Sequence, residues 1–237
     1  MKKIKIKGTI ISNDDKWIYN LFGMDSTAPK DIVLPETGED VEVTINSGGG
    51  DVYAGSEIYT ALRDYAGAVN VKIAGIAASA ASVIAMAGNK VSISPTAQLM
   101  IHNVASVVQG DYRGLEHESN VLKNYNKSIA NAYTAKTGKD MDDLLALMNE
   151  ETWFTAEEAV EQGFCDEVMF TETAPKLVAS ASTVIPPDTI DKLANAMKPQ
   201  FNLDQLAEQV AEKLEEKSNT KNQEPKAEKS GFMRFFF

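Results

Sequence analysis

Between residues 41 and 87 one order of elements occurs twice: a strand, a turn of glycines or very small residues, then a helix. Val41 to Asn46 alternates as a strand and stops at Ser47-Gly48-Gly49-Gly50. Asp51 to about Tyr65 then carries Val52, Ile58 and Leu62 on one helical face. Val69 to Ile76 is the next strand. It leads into the small-residue stretch Ala77 to Ala87, which reads as helical and closes at Gly88-Asn89. Gly and Asn tolerate the left-handed conformation that ends many helices. Successive strands joined through a helix pair in parallel, because only a crossover of that length returns the chain to the same sheet edge. The expectation is an α/β fold built on a parallel sheet.

The flanks extend this plan. Residues 4–12 form a strand ending in the polar turn Asn13-Asp14-Asp15. Val91 to Ile93 and Gln98 to His102 are short strands separated by Ser94-Pro95-Thr96. From Gly114 to about Lys136 the pattern becomes one long helix, with Leu115, Leu122 and Ile129 spaced by sevens and Tyr125 and Ala132 between. So narrow an apolar stripe on so long a helix predicts packing against a neighbour, a second subunit being one candidate. Lys139 to Met148 forms a shorter helix. Thr155-Ala156-Glu157-Glu158 is a capping box that opens another, ending near Gly163.

After about Phe170 the character changes, which divides the chain into residues 1–170 and an extension over 171–237. Residues 171–187 are rich in Ser, Thr, Ala and Pro and read as a linker. Leu203, Leu206, Val210 and Leu214 mark an amphipathic helix, and the polar segment 218–230 is expected to be disordered. The chain finishes in a Phe-rich tip from Gly231 to Phe237, which is either a docking peptide or an unstructured end.

Composition excludes several function classes. A net charge of −11 argues against an electrostatic grip on nucleic acid or anionic lipid. The N-terminal Lys3-Ile4-Lys5-Ile6-Lys7 alternates strictly and no apolar region follows, so it reads as an edge strand and not a signal peptide. No apolar run approaches the roughly 18–20 residues needed to cross a bilayer. The single cysteine, Cys165, allows no intrachain disulfide and fits a reducing compartment. A soluble cytoplasmic protein is expected, with no metal and no cofactor.

Three short segments carry candidate chemistry. In Gly75-Ile76-Ala77-Ala78-Ser79-Ala80-Ala81-Ser82, a strand delivers the chain to a serine flanked by residues no larger than alanine. Small flanks permit a tight strand-to-helix turn, and a helix beginning at Ser79 would aim free N–H groups at a developing oxyanion. Taken alone, a small-residue helix packed in a core accounts for the run better. His102, one of two histidines, ends the apolar strand Leu99-Met100-Ile101. A serine hydroxyl becomes a nucleophile only when a base within hydrogen-bond reach takes its proton, and imidazole suits that task near neutral pH. A histidine after an apolar strand is more often structural. The other, His117, sits between Glu116 and Glu118 off the apolar stripe, as a solvated face would have it. Asn46-Ser47-Gly48-Gly49-Gly50-Asp51 supplies glycines whose backbone N–H groups can face a ligand. No Lys-Ser/Thr follows, which rejects a P-loop, and a plain tight turn stays open.

In this order the segments resemble the proteolytic subunit of the Clp protease, and more closely its phage-encoded relatives, the prohead or head-maturation proteases. The resemblance covers roughly residues 4–170. It rests on Ile45-Asn46-Ser47-Gly48-Gly49-Gly50, on Gly75 to Ser79, on Met100-Ile101-His102, and on Thr155 to Val160 with Gly163 and Asp166. It implies a ClpP/crotonase-like spiral with a protruding handle helix over 114–136, in a ring-forming homo-oligomer. It makes Ser79 the nucleophile, His102 the general base, and the backbone N–H groups of Gly50 and Ala80 the oxyanion hole. The implied activity is serine endopeptidase action on protein or peptide substrates, with capsid or scaffold proteins as the natural targets.

Two departures from the family pattern stand out. The family's third triad member is an aspartate, and the matching position in Glu150-Glu151-Thr152-Trp153-Phe154 is Thr152. Threonine can accept from the imidazole but cannot stabilise imidazolium as a carboxylate would, a loss that costs serine proteases orders of magnitude. Thr152 is the expected third residue, with Glu151 or another carboxylate the alternative. The chain also starts almost directly at its first strand, without the leading segment that helps Clp peptidases dock an unfoldase, so dependence on a Clp-type ATPase is not expected. Two further readings stay open: a catalytically weak ring-forming scaffold for capsid subunits, and a crotonase-like acyl-CoA enzyme, which would not need the Ser79/His102 pair.

Overall fold

The structure, a computed structural model, describes residues 1–171. The linker, the amphipathic helix and the Phe-rich tip expected from the sequence lie outside these residues. Elements follow in the order β1 (Lys2–Ile10), α1 (Lys16–Leu21), β2 (Ser26–Thr27), β3 (Val41–Gly50), α2 (Val52–Arg63), β4 (Val69–Ala78), α3 (Ala80–Ala85), β5 (Lys90–Ile93) and β6 (Gln98–Ile101). Then come α4 (Tyr112–Thr137), α5 (Met141–Asn149), β7 (Thr152–Phe154), α6 (Ala156–Glu161) and β8 (Glu167–Val168). The strands form a single sheet in the order β2-β1-β3-β4-β5-β8, and β6 pairs with β4 off this path. Every pairing is parallel except β6 with β7. None of the described helices is long and apolar enough to cross a membrane.

The expected α/β architecture is present, and the mixed α/β order positions the site through β4. Its first half, Asn70 to Ile73, pairs with β5, while Ile76 to Ala78 pairs with β6. The opposite edge of β4 runs against β3. Val41, Val43, Ile45, Val71, Ile73, Val91, Ile93, Leu99 and Ile101 are all buried, as the strands of a covered parallel sheet should be. Helix α2 buries Ile58 and Leu62 on the sheet, and α3 is buried at every one of its positions. These two helices approach so closely that a Cβ on Gly55 would lie 3.0 Å from the Ala80 Cβ. That contact explains the small residues on both.

Several sequence expectations are refined. The helix after Ser79 stops at Met86 in ordinary right-handed geometry, so Gly88-Asn89 provides no left-handed cap. Gly88 is small for packing instead: a Cβ there would lie 2.7 Å from the Val71 Cγ2. The Asn89 side chain accepts the Val69 N–H at 2.8 Å and so fixes the start of β4. The glycines after Asn46 continue β3 as far as Gly50, past an irregularity between Ile45 and Ser47. The N-terminal strand is an edge only in its first part, because β2 pairs with Thr9 and Ile10.

The long helix α4 runs 26 residues, about 39 Å at 1.5 Å per residue. Its N-cap Asp111 accepts the Gly114 N–H, and Gly138 closes it in the left-handed conformation. Only Ala130, Ala132 and Tyr133 are buried. Leu115 is 47% exposed, and Leu122, Tyr125 and Ile129 are half-buried. The predicted stripe is therefore buried only toward its C-terminal end, at Ala132, partly covered from Leu122 to Ile129, and open at Leu115.

Candidate active site

Ser79 follows the last residue of β4 and is the N-cap of α3, with φ 57° and ψ −127°. A positive φ on a non-glycine residue costs on the order of 1–3 kcal/mol and persists only where the surroundings enforce it. Here they do. The Ser79 N–H donates to the Met100 carbonyl at 3.1 Å, and Ala78 is paired with Met100 in the β4–β6 ladder. His102 lies just past the end of β6, so the two parallel strands deliver serine and histidine to the same end of the sheet. Parallel sheets present their ligand sites at that carboxyl end. The His102 Nε2 and the Ser79 Oγ are 2.7 Å apart, a hydrogen bond between groups 23 residues apart in sequence.

The glycine segment packs onto this turn. Gly49 has φ +95°, and a Cβ there would fall 2.6 Å from the Ser79 Cβ and 2.7 Å from the Ala78 carbonyl oxygen. Only glycine lets β3 pass this close to the serine. Gly50 and Ala80 line a small cavity of about 130 Å³ together with Ser79, Val83, His102 and Tyr133. Ala80 is the first residue of α3, and the N–H groups of a first turn have no intrahelical acceptor. A second cavity of about 340 Å³ also borders Gly50, and its lining includes Tyr53, Val104, Glu118 and Tyr125. The Tyr53 and Tyr125 rings meet edge to face at 5.4 Å with their hydroxyls hydrogen-bonded.

Thr152 opens β7 and pairs with Ile101, the neighbour of His102. Its hydroxyl donates to the Leu147 carbonyl at 2.6 Å. Glu151 is in the left-handed region, and its carboxylate accepts from the Trp153 indole at 3.3 Å. Among the described residues, neither side chain is hydrogen-bonded to His102. The backbone after His102 is anchored separately: Asn103 donates to the Asn149 side chain, and the Val104 N–H donates to the Asn126 side chain, both at 2.8 Å. His117 is exposed on α4, away from this cluster.

Two polar residues beside the serine escaped the sequence reading. Ser82 is fully buried and donates its hydroxyl to the Ser79 carbonyl at 2.6 Å. The Tyr133 hydroxyl, from α4, lies 2.8 Å from the Ser82 Oγ. Burial pushes the Tyr133 phenol well above its ordinary range, so it is neutral. The available signal was slight: one hydroxyl in a run of alanines, and one tyrosine directly after the last stripe position.

The family model for Clp protease matches residues 22–172, which is more than half the chain. The chain is 34% identical over 136 residues to the ATP-dependent Clp protease proteolytic subunit of Bacteroides fragilis, a match covering 56% of this chain and 66% of that one. The Porphyromonas gingivalis subunit of the same name is 31% identical, over 56% of this chain and 61% of the relative. The chain thus spans slightly under two thirds of the length of these curated relatives. Among solved structures, a mutant of ClpP1 from Listeria monocytogenes superposes with a TM-score of 0.60 at 22% identity, covering 72% of this chain and 92% of that one. That likeness concerns the fold. With the family match enclosing both strands that bring Ser79 to His102, the chain belongs to the Clp protease family.

Proposed function

We propose that the chain is a serine endopeptidase that cleaves protein substrates through an acyl-enzyme on Ser79. The observation that carries this is the 2.7 Å contact between Ser79 Oγ and His102 Nε2 at a strained strand-to-helix turn. In the first step Oγ attacks the scissile carbonyl while His102 takes its proton. The N–H groups of Ala80 and Gly50 stabilise the oxyanion. Collapse expels the amine, which leaves with the proton held by His102. Water then repeats the sequence: His102 removes its proton, the hydroxide attacks the ester, and Oγ leaves reprotonated.

Thr152 is the third residue in this reading. Its hydrogen is given to the Leu147 carbonyl, which leaves its oxygen lone pairs as acceptors beside the β6 terminus. The substrates we propose are capsid or scaffold proteins, on the sequence resemblance to phage head-maturation proteases, acted on in the host cytoplasm. Copies associate as rings, and the half-covered stripe of α4 joins one ring to another. One observation favours a slower, scaffold-like role: among the described residues no carboxylate is hydrogen-bonded to His102.

A fluorophosphonate probe with mass-spectrometric site mapping tests the proposal. Labelling confined to Ser79, lost in Ser79→Ala and accompanied by peptide hydrolysis, is the expected result. An unlabelled wild-type protein with no peptide turnover would overturn it and leave the scaffold role.

A further inference from the structure

We infer that Ser82 and Tyr133 are positioning residues for Ser79: two buried hydroxyls tie the inner end of α4 to the backbone turn that presents the Ser79 Oγ to His102. The inference rests on the peptidase reading of Ser79 given above.

The direction of the chain of hydrogen bonds is fixed by counting protons. Ser82 has one O–H, and it is given to the Ser79 carbonyl at 2.6 Å. It has none left for Tyr133, so the tyrosine donates and the Ser82 oxygen accepts, at 2.8 Å. The Ser79 carbonyl also accepts the N–H groups of Ser82 and Val83 at 3.0 and 3.3 Å. The orientation of that carbonyl is set by the ψ angle of Ser79, the residue whose backbone lies outside the ordinary regions. Donors on the carbonyl therefore act directly on the strained torsion, and through it on where the Oγ points.

A serine bonding back along its own helix is common and needs no function. The tyrosine is what sets this one apart. Tyr133 is 51 residues away on another element, 1% exposed, and lines the same cavity as Ser79 and His102. Its ring is held edge to face against Phe164, at 5.8 Å between centroids. An Ala/Phe pair would fill this space without polar atoms.

The test compares wild type with Ser82→Ala, Tyr133→Phe and the double variant. The measurements are urea midpoints, the second-order rate of fluorophosphonate labelling at Ser79, and kcat and KM on a fluorogenic peptide. Ser82→Ala leaves the buried Tyr133 hydroxyl without its acceptor, whereas in Tyr133→Phe the Ser82 hydroxyl still donates to the Ser79 carbonyl, so the double should recover part of the midpoint lost in Ser82→Ala. Labelling and kcat should stay about tenfold or more below wild type in the double, with KM little changed, because sub-ångström misplacement slows the reaction without weakening binding. A double variant that labels at the wild-type rate overturns the inference and leaves the peptidase reading intact, as does labelling that merely follows the midpoint across the set. Should Ser82→Ala fail to fold, Tyr133→Phe alone decides on the same rates, since its ring contact is retained. A wild type that does not label at Ser79 overturns both.

Discussion

Replacing Gly49 by alanine should slow the site far more than it unfolds the protein. The new Cβ falls 2.6 Å from the Ser79 Cβ, 2.7 Å from the Ala78 carbonyl oxygen and 3.0 Å from the Ala80 nitrogen. Carbon atoms rest at about 3.5 Å, so relief requires a shift of roughly 0.9 Å. Two of the three obstacles are backbone atoms of the ladder and of α3, which leaves the serine turn to absorb most of the movement. A displacement near 1 Å costs on the order of 100-fold in rate. In stability, alanine at φ +95° adds roughly 1–2 kcal/mol of conformational strain, and overpacking adds about 1–3 kcal/mol. With a urea slope near 2 kcal/mol per molar, the midpoint should fall by about 1–2.5 M. Gly23→Ala is the control. Gly23 has φ +64° but nothing within 4 Å of its would-be Cβ, so it should lose about 1–2 kcal/mol from strain alone and label at the wild-type rate. Labelling of Gly49→Ala within twofold of wild type, or an equal slowing in Gly23→Ala, would refute the reasoning.

Further outcomes follow from other parts of the structure. Thr152→Asp should raise the rate of Ser79 labelling by about tenfold or more, since a carboxylate next to the β6 terminus would stabilise imidazolium. An unchanged rate would put the third residue elsewhere. The Glu42 carboxyl is held below the usual glutamate range chiefly by its 2.7 Å bond to Lys72, with Lys3 at 3.8 Å. A folded value below the unfolded one means this stabilisation is complete above about pH 4.3 and is lost as pH falls through the lower folded value. Urea midpoints measured down to pH 3 should therefore decline less steeply in Glu42→Gln than in wild type. Cys165 is 3% exposed, and burial pushes its thiol up to about 12. Iodoacetamide at pH 8 should leave it unmodified in the native protein and modify it fully in denaturant, as mass spectrometry will show. Glu118 makes no ion pair among the described residues and lines the 340 Å³ cavity with two tyrosine rings. A peptide library should show a preference for lysine or arginine near the scissile bond, reduced in Glu118→Gln.

The sequence was most legible where the sheet is covered. Val69 to Ile76 and Val91 to Ile93 read as strands because buried Val69, Val71, Ile73, Val91 and Ile93 alternate with the polar Asn70, Lys72 and Ser92, and that period of two is visible in the sequence. The capping box at Thr155 also read cleanly, and both of its reciprocal bonds are formed. Two short elements went unread: α1, with 6 residues and no buried position or side-chain cap, and β7, with only 3 residues, offer neither a period nor a capping signal. The turn at Ser79 was visible as a change from strand to helix, but its positive φ was not, because sequence carries no sign of a strain that tertiary contacts impose. The proximity of His102 to Ser79 followed from which strands pair, and β6 leaves the main sheet order to sit beside the second half of β4. No local pattern encodes that choice. The hydroxyl pair Ser82–Tyr133 joins elements 51 residues apart and was invisible for the same reason.

The way β4 divides its partners has a consequence for how such a protein can diversify. The strand bearing the serine is flanked along both edges, and β6, which leads to the histidine, is held between β4 and β7. Facing them, residues 102–111 have no regular structure, and the Asn126 side chain on α4 holds the Val104 N–H. One flank of the cleft is thus a rigid bench, while the other is free to change in length and composition. Lineages could rewrite what is gripped along the irregular flank while the reacting atoms stay in register on the bench.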